Sequence, residues 1–492
     1  MNAFSRIAAA SALALVFATP AFAKDTLTLG IPLEPPHLDP TAGAAAAIDE
    51  IVYANVFEGL TRIGSKGEVL PALAESWEIS EDGNTYTFKL RTGVKFHDGT
   101  GFDAEDAKFS LDRARADDST NAQKGLFKSI ETVEVVDPAT LKVTLSSPAG
   151  NFLFNMGWGD AVMVAPESAD ANKENPVGTG PFKFGSWSKG SSVEITRNDD
   201  YWGESVALAS ATFRFIPDAA AAISSLQSGD VDAFPAFPAP EALDAFRADD
   251  RFAVVVGSTE GETILSINNT RPPFDNILVR QAIAHAIDRQ AIIDGAMFGL
   301  GTPIGTHFAP HHPAYVAETI NTYPHDLDKA KELLAEAGFA DGIDATLQLP
   351  PPTYARRGGE IIASQLREIG INLEIIPVEW AQWLEGPFKG DFDLTIVSHT
   401  EPLDIGIYAN PDYYFHYNSQ PFQDVMEKLN VTTDEQDRYA LMGDAQRIIA
   451  ADAVNGFLFE LAKAGVWNAK LQGLWENAPV QANDLTGVSW NE

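Results

Sequence analysis

Apolar and polar residues alternate over residues 77–79 and 86–90: Trp77 and Ile79 flank Glu78, while Tyr86, Phe88 and Leu90 enclose Thr87 and Lys89. A period of two with one apolar side predicts two half-buried strands. Between them, Glu81-Asp82-Gly83-Asn84 supplies turn residues that accept positive φ, so the stretch predicts a β-hairpin. After Gly99, Asp103 is placed to cap a helix with Asp106 in its first turn. Ala104, Ala107, Leu111 and Ala114 then repeat at helical spacing. A second hairpin is predicted over residues 133–145, with Asp137-Pro138 at its turn.

The same reading extends along the chain. Residues 27–31 predict a strand that runs into a loop stiffened by Pro32, Pro35, Pro36 and Pro40. Residues 48–60 have a helical pattern. Phe152, Phe154 and Trp158 form an aromatic segment that suits a core. Residues 213–216 followed by an Ala-rich helix over 219–227, closed by Gly229, predict a βα unit, with further strands around Val254 and Ile264. Pro272 and Pro273 interrupt regular structure, and Val279, Ile283 and Ile287 then line a helix. Over residues 326–397 helices closed by Gly338 and Gly370 alternate with strands at 345–349, 371–378 and 392–397. Short links between such elements imply parallel strands with right-handed crossovers. Ligands of open α/β sheets sit beyond the carboxyl ends of the strands, which singles out the loops 350–359 and 398–412. Thr433 with Gln436 predicts a capping box opening a helix to about Asp452. Residues 457–460 and 466–467 predict strands that return toward the first part of the chain.

Length and composition narrow the class. A chain of 492 residues, 45% hydrophobic and 21% charged, predicts a soluble globular protein of two or three domains. A formal charge of −35 argues against nucleic acid or an anionic membrane as partner. It serves solubility or, alternatively, attracts cationic solutes. The absence of cysteine excludes disulfides, thiolate nucleophiles, Cys-based metal sites and a lipoprotein anchor. Residues 1–23 read as a secretory signal peptide: Arg6, an apolar run too short to span a membrane, and Ala21-Phe22-Ala23 as cleavage site. Cleavage after Ala23 is expected to leave a periplasmic protein without a lipid anchor. Gly178-Thr179-Gly180 is not a phosphate loop, because a strand pattern follows and not Gly-Lys-Ser/Thr. Gly-x-Ser-x-Gly and His-Glu-x-x-His are both missing, so an enzyme is not expected.

The literal wording adds what periodicity cannot. Residues 70–99, LPALAESWEISEDGNTYTFKLRTGVKFHDG, and residues 102–113, FDAEDAKFSLDR, closely resemble the signature region of extracytoplasmic solute-binding proteins of the oligopeptide/dipeptide/nickel family, family 5. NVFEGLTR at 55–62, GTGPF at 178–182, RNDDYWG at 197–203 and PPFDNILVRQAIAHAIDRQAII at 272–293 resemble it too. The resemblance implies an α/β, two-lobed periplasmic-binding-protein fold with an extra N-terminal subdomain and a hinged central cleft. The expected division is an N-terminal lobe at 24–270 with the subdomain at about 55–185, a C-terminal lobe at 271–470, and a return to the first lobe at 471–492. The implied role is the substrate-binding component of an ABC importer: capture of a peptide-like small solute by lobe closure, and delivery to permease subunits in the inner membrane. Other solutes (an oligosaccharide, an opine-like compound or a metal chelate) and an extracytoplasmic chaperone or sensor are the alternatives. A monomer without cofactor is expected.

Candidate contacts follow. Arg356 and Arg357 stand near a helix start, where the planar guanidinium suits a carboxylate; the pair resembles the family position that holds a peptide's C-terminal carboxylate, and ion pairing within the lobe is the alternative. In the loop 398–412, His399 stands roughly where peptide-binding relatives carry Trp, while Glu401 and Asp404 compete for the role of the acid that pairs with the ligand's ammonium. Trp383 and Trp158 are candidate apolar contacts; the resemblance implies that the proline-rich loop enters the cleft, which makes His37 a further candidate contact. His307, His311 and His312 form a short histidine tract, but no accompanying ligands stand at fixed spacing, so no metal site is expected.

Overall fold

The computed structural model describes residues 24–43 and 45–491; the predicted signal peptide lies outside the described residues. Both predicted hairpins form and share one four-stranded sheet. Ala74–Ile79 pairs with Thr85–Leu90 across a turn where Gly83 takes φ 70°. Thr85–Leu90 pairs in turn with Thr140–Leu145, and that strand with Ile130–Asp137. Helix Ala104–Arg115 packs on this sheet. Its capping box is complete, with Asp103 accepting from the Glu105 amide and Asp106 accepting from the Asp103 amide. Phe88, Leu111, Leu141 and Phe152 bury the space between.

Among the described residues, one larger sheet of eleven strands runs through the rest of the molecule. Its order is Ile371–Pro377, Ile343–Leu349, Leu394–His399, Phe252–Ile267, Gly456–Asn468, Ala233–Phe234, Thr26–Ile31, Ser210–Phe215, Ser192–Arg197 and Phe182–Ser188, with Thr302–Pro303 paired to Gly456–Asn468. The first three strands are parallel to one another, as the alternation of strands and helices predicted. Helices Ile277–Ala286, Arg289–Met297, Leu327–Glu336 and Thr353–Arg367 cover them around Val279, Ile283, Leu347 and Ile362. At the other end Leu27, Leu29, Ile195 and Phe213 belong to a separate core.

Only the pair Phe252–Ile267 and Gly456–Asn468 enters both halves among the described strands. Leu265 and Phe459 belong to the core of one lobe; Trp467 belongs to the core of the other, with Val255 packed against it. The sequence predicted two short strands in each of these segments, and the structure joins them into strands of 16 and 13 residues. Gly257 and Gly261 interrupt the apolar pattern without ending the strand. A Cβ at Gly257 would lie 2.3 Å from the Glu476 carbonyl oxygen, so this glycine admits a close backbone approach. The register shifts between Ser258 and Glu262, where the pair passes from one lobe to the other.

Two local expectations are corrected. The helix predicted over 48–60 stops at Val52, and Ala54 turns left-handed at φ 59°. The Asn55 and Val56 carbonyls accept instead from the amides of Phe182 and Gly180. The Asn55 side chain binds the carbonyls of Ile51 and Asn483. The late helix starts at Glu435, capped by Asp434 accepting from the Asp437 amide, rather than by Thr433.

The same contacts explain two signature phrases. A Cβ at Gly178 would lie 1.9 Å from the Val56 oxygen, and one at Gly180 2.4 Å from the Asn55 oxygen. His97 clamps this segment: its Nδ1 accepts from the Gly178 amide at 3.3 Å, and Nε2 donates to the Gly180 carbonyl at 3.0 Å. Burial lowers the His97 pKa to about 4, so a neutral imidazole fills both roles. Gly178→Ala is expected to destabilise the fold by about 2–3 kcal/mol through backbone overpacking. Urea unfolding measures it; a midpoint equal to that of the wild type would remove this reading of the phrase.

Candidate functional site

A cavity of about 720 Å³ opens where the bridging strands cross between the lobes. Thr259, Glu260 and Gly261 of the first bridging strand and Leu461 to Ala464 of the second contribute to it. One lobe supplies the end of strand Thr26–Ile31, Trp158 and the stretch 235–238. The other supplies Phe298, Thr353, Thr400 and Pro402, and the returning segment 478–483 completes the lining. Volume and lining suit a small molecule with an apolar body and a few polar anchors.

Three charged side chains line this space: Glu50, Glu260 and Lys463. The Lys463 ammonium donates to the carbonyls of Trp475 at 2.8 Å and Asn477 at 3.3 Å. Burial pushes its pKa down to about 8, against the pull of Glu50. Burial raises the Glu50 carboxyl, with Lys463 opposing. Glu260 is also raised by burial, and a hydrogen bond from His311 Nε2 at 2.6 Å opposes the rise. His311 Nδ1 stands 2.7 Å from Ser258 Oγ, so Ser258 and His311 together fix the direction of the Glu260 carboxylate.

Of the eight side chains singled out from the sequence, Trp158 lines the cavity. The two loops beyond the parallel strands do reach it, but through Thr353, Thr400 and Pro402. Arg356 donates to the Val378 carbonyl and to Glu379 within its own lobe. Arg357 donates to the Gly295 carbonyl and lies 5.4 Å from the ring centroid of Phe298, itself a lining residue. Glu401 is exposed and accepts from the Thr400 amide. Asp404 faces inward, 2.5 Å from His307 Nε2 and 3.8 Å from His399 Nδ1. His399 is buried against the Tyr414 hydroxyl at 3.1 Å, and burial lowers its pKa to about 4. Trp383 is buried and donates to Thr395 Oγ1. His37 accepts from the Asp39 amide, its pKa lowered by burial and then by Lys173. The sequence reading passed over Glu260 and Lys463. Their charge did not distinguish them, because Glu262 and Glu460 lie buried on the same two strands and do not line the cavity.

Comparison with known proteins gives a consistent result. The family model for bacterial extracellular solute-binding proteins, family 5, matches residues 68–424. The glutathione-binding protein GsiB of Pectobacterium atrosepticum is 30% identical over 95% of this chain and 95% of its own. The dipeptide-binding protein of Escherichia coli is 30% identical over 78% of this chain and 79% of its own. Among solved structures, HbpA2 from Haemophilus parasuis superposes with a TM-score of 0.87 at 27% identity, covering 95% of this chain and 100% of that one. No helix among the described residues is long and apolar enough to cross a membrane.

Lys463 provides a direct test of the cavity's electrostatics. The folded chain releases this proton near pH 8, whereas the unfolded chain holds it to about 10.5. Stability therefore rises with pH across that window and is lost as pH falls through 8. Lys463→Met keeps the stem and lacks the titration. Wild type is expected to gain on the order of 3 kcal/mol over the variant between pH 8 and 10.5. Urea unfolding of both proteins across this range would show a constant difference if the ammonium were not buried.

Proposed function

This chain belongs to the bacterial extracellular solute-binding proteins of family 5, and from that premise we propose that it captures a peptide-like small solute between its lobes and hands it to the permease of an ABC importer. The observation that carries the proposal is the cavity itself: an apolar space of about 720 Å³ between the lobes, with one ammonium and two carboxylates on its wall. A short peptide offers the matching set, an apolar or polar body with a cationic and an anionic end. The relatives named for glutathione and for dipeptides bind solutes of this kind and span most of the chain.

Capture proceeds by hinge closure. The bridging strands carry both lobes, so a change of twist at the irregular register near Ser258 to Glu262 moves one lobe against the other. A solute that contacts both walls binds the closed arrangement better and shifts the population toward it. We take the moving parts to be 24–270 with 471–492 against 271–470, and the extra subdomain to be about 55–185. The permease docks on the closed form outside the cytoplasm, after cleavage at Ala23. Glu260 is the anchor for the solute's cationic end and Lys463 for its anionic end; Arg357, beside Phe298, is placed to join the second anchor on closure.

Thermal denaturation of the chain from Lys24, against di- to pentapeptides, glutathione, sugars and divalent metals, tests the reading. A true ligand at 100-fold its dissociation constant adds about 2.7 kcal/mol of stability. A peptide-like ligand should stabilise the wild type, and Trp158→Ala or Glu260→Gln should weaken binding at least tenfold, while Lys329→Ala on the exposed helix face leaves it unchanged. Stabilisation by sugars alone, or peptide binding indifferent to Trp158 and Glu260, would refute the assignment.

A further inference from the structure

Next to the cavity, and separate from its lining, lies a cluster of groups that solute capture does not use. Glu262 sits on the first bridging strand, His307 in the loop after Thr302–Pro303, and Asp404 in the loop 398–412. One ligand atom from each lies within 4.8 Å of the others. Glu262 and His307 are 3% and 2% exposed. His307 Nδ1 and Glu262 Oε1 stand 3.1 Å apart, yet neither makes a hydrogen bond. Glu460 lies opposite Glu262 across the strand pair, with both carboxylate oxygens buried and unpartnered.

Buried charges are ordinarily paired or bound to metal. Two donor atoms about 2.0–2.2 Å from one metal, subtending 90–110°, lie roughly 3.0–3.5 Å apart. The His307–Glu262 spacing falls in that range, and both donor atoms lack another partner. The other ring nitrogen of His307 faces the Asp404 carboxylate at 2.5 Å. A metal-bound histidine typically donates its second N–H to a carboxylate, which fixes the tautomer and turns the free nitrogen to the metal.

We propose that His307 Nδ1 and the Glu262 carboxylate bind a divalent transition-metal cation of the zinc or nickel type at the crossing of the bridging strands, with Asp404 as the positioning residue for His307. Imidazole with carboxylate is a donor set for such borderline ions rather than for magnesium. The ion would tie the first bridging strand to the two loops that flank it. This site is independent of the solute reading.

The test uses untagged chain from Lys24, stripped with chelator, reloaded with zinc or nickel chloride and desalted; magnesium chloride is the control. Elemental analysis should return about one equivalent of zinc or nickel and no magnesium. X-ray absorption at the metal edge should show imidazole and oxygen donors. Glu262→Gln and His307→Ala should each weaken binding at least 100-fold by titration calorimetry, Asp404→Asn roughly 10- to 100-fold, and His325→Ala on the surface should have no effect. No retained metal, a spectrum without imidazole, or binding that survives Glu262→Gln but falls with the surface histidine (an adventitious ion only) overturns the proposal, and a proton shared by Glu262 and His307 then accounts for their approach. If the variants fail to fold, the stoichiometry and absorption spectrum of the wild type decide alone. Solute assays on stripped protein keep failure here distinct from failure of the peptide reading.

Discussion

Two strands carry the molecule. Phe252–Ile267 and Gly456–Asn468 pair along most of their length, and their opposite ends belong to different hydrophobic cores. An antiparallel ladder pairs Phe252 to Ser258 and Glu262 to Leu265 with the partner strand, which ties the two lobes through backbone hydrogen bonds. The irregular step between Ser258 and Glu262 is where that ladder relaxes. Glu260, Glu262, Glu460 and Lys463 all lie on these strands near the step. Buried charge is costly unless compensated; here backbone carbonyls compensate Lys463 and His311 Nε2 binds Glu260, whereas Glu262 Oε1 and both Glu460 oxygens lack a hydrogen-bond partner. The polar crossing separates the two apolar cores that receive the strand ends.

The family phrases turn out to be structural. Glu58 is buried and accepts from Thr179 Oγ1, the Tyr201 hydroxyl and Trp202 Nε1, each at 2.8 Å. Three of the quoted phrases, around residues 58, 179 and 201, therefore meet at one carboxylate. His97, from a fourth, holds the glycines of the second. These contacts seat the extra subdomain's edge on the first lobe and stand apart from the cavity. In this chain those phrases hold the framework, and the cavity lining falls outside every quoted phrase. This is why the chain could be placed in its family from wording that says little about the solute.

Contact between the lobes is not confined to the bridging strands. Arg438 donates to the side chain of Asn151, joining helix Glu435–Ala451 to the four-stranded subdomain's border. Leu403, in a left-handed conformation at φ 61°, packs against the core around Leu27 and Phe213 and against a further cluster around Ile405, Tyr408 and Phe415. A leucine held there costs about 1–2 kcal/mol in backbone strain, which its packing has to offset. The loop 398–412 thus serves two sides: Thr400 and Pro402 meet the cavity, while Asp404 turns inward to His307. A shift of this loop would be felt on both.

Local elements and class are legible in the chain alone. Alternation over residues 77–90 set the hairpin, Asp103 with Asp106 set the start of the following helix, and the strand–helix order over 326–397 set the parallel unit, because period, capping and turn chemistry act over a few residues. The quoted phrases set the family. Tertiary structure decided the rest. Asn55 ended the helix predicted over 48–60 because its partners lie at 182 and 483–485. Arg356, chosen for its guanidinium, was taken by Glu379 and the Val378 carbonyl, and Trp383 by Thr395. Glu260 and Lys463 reached the cavity wall because two strands some 200 residues apart in the chain pair there. A side chain's chemistry is written at its own position, but whether it faces a solute, a neighbour or the core is set by partners distant in sequence, and only the folded chain brings those partners to it.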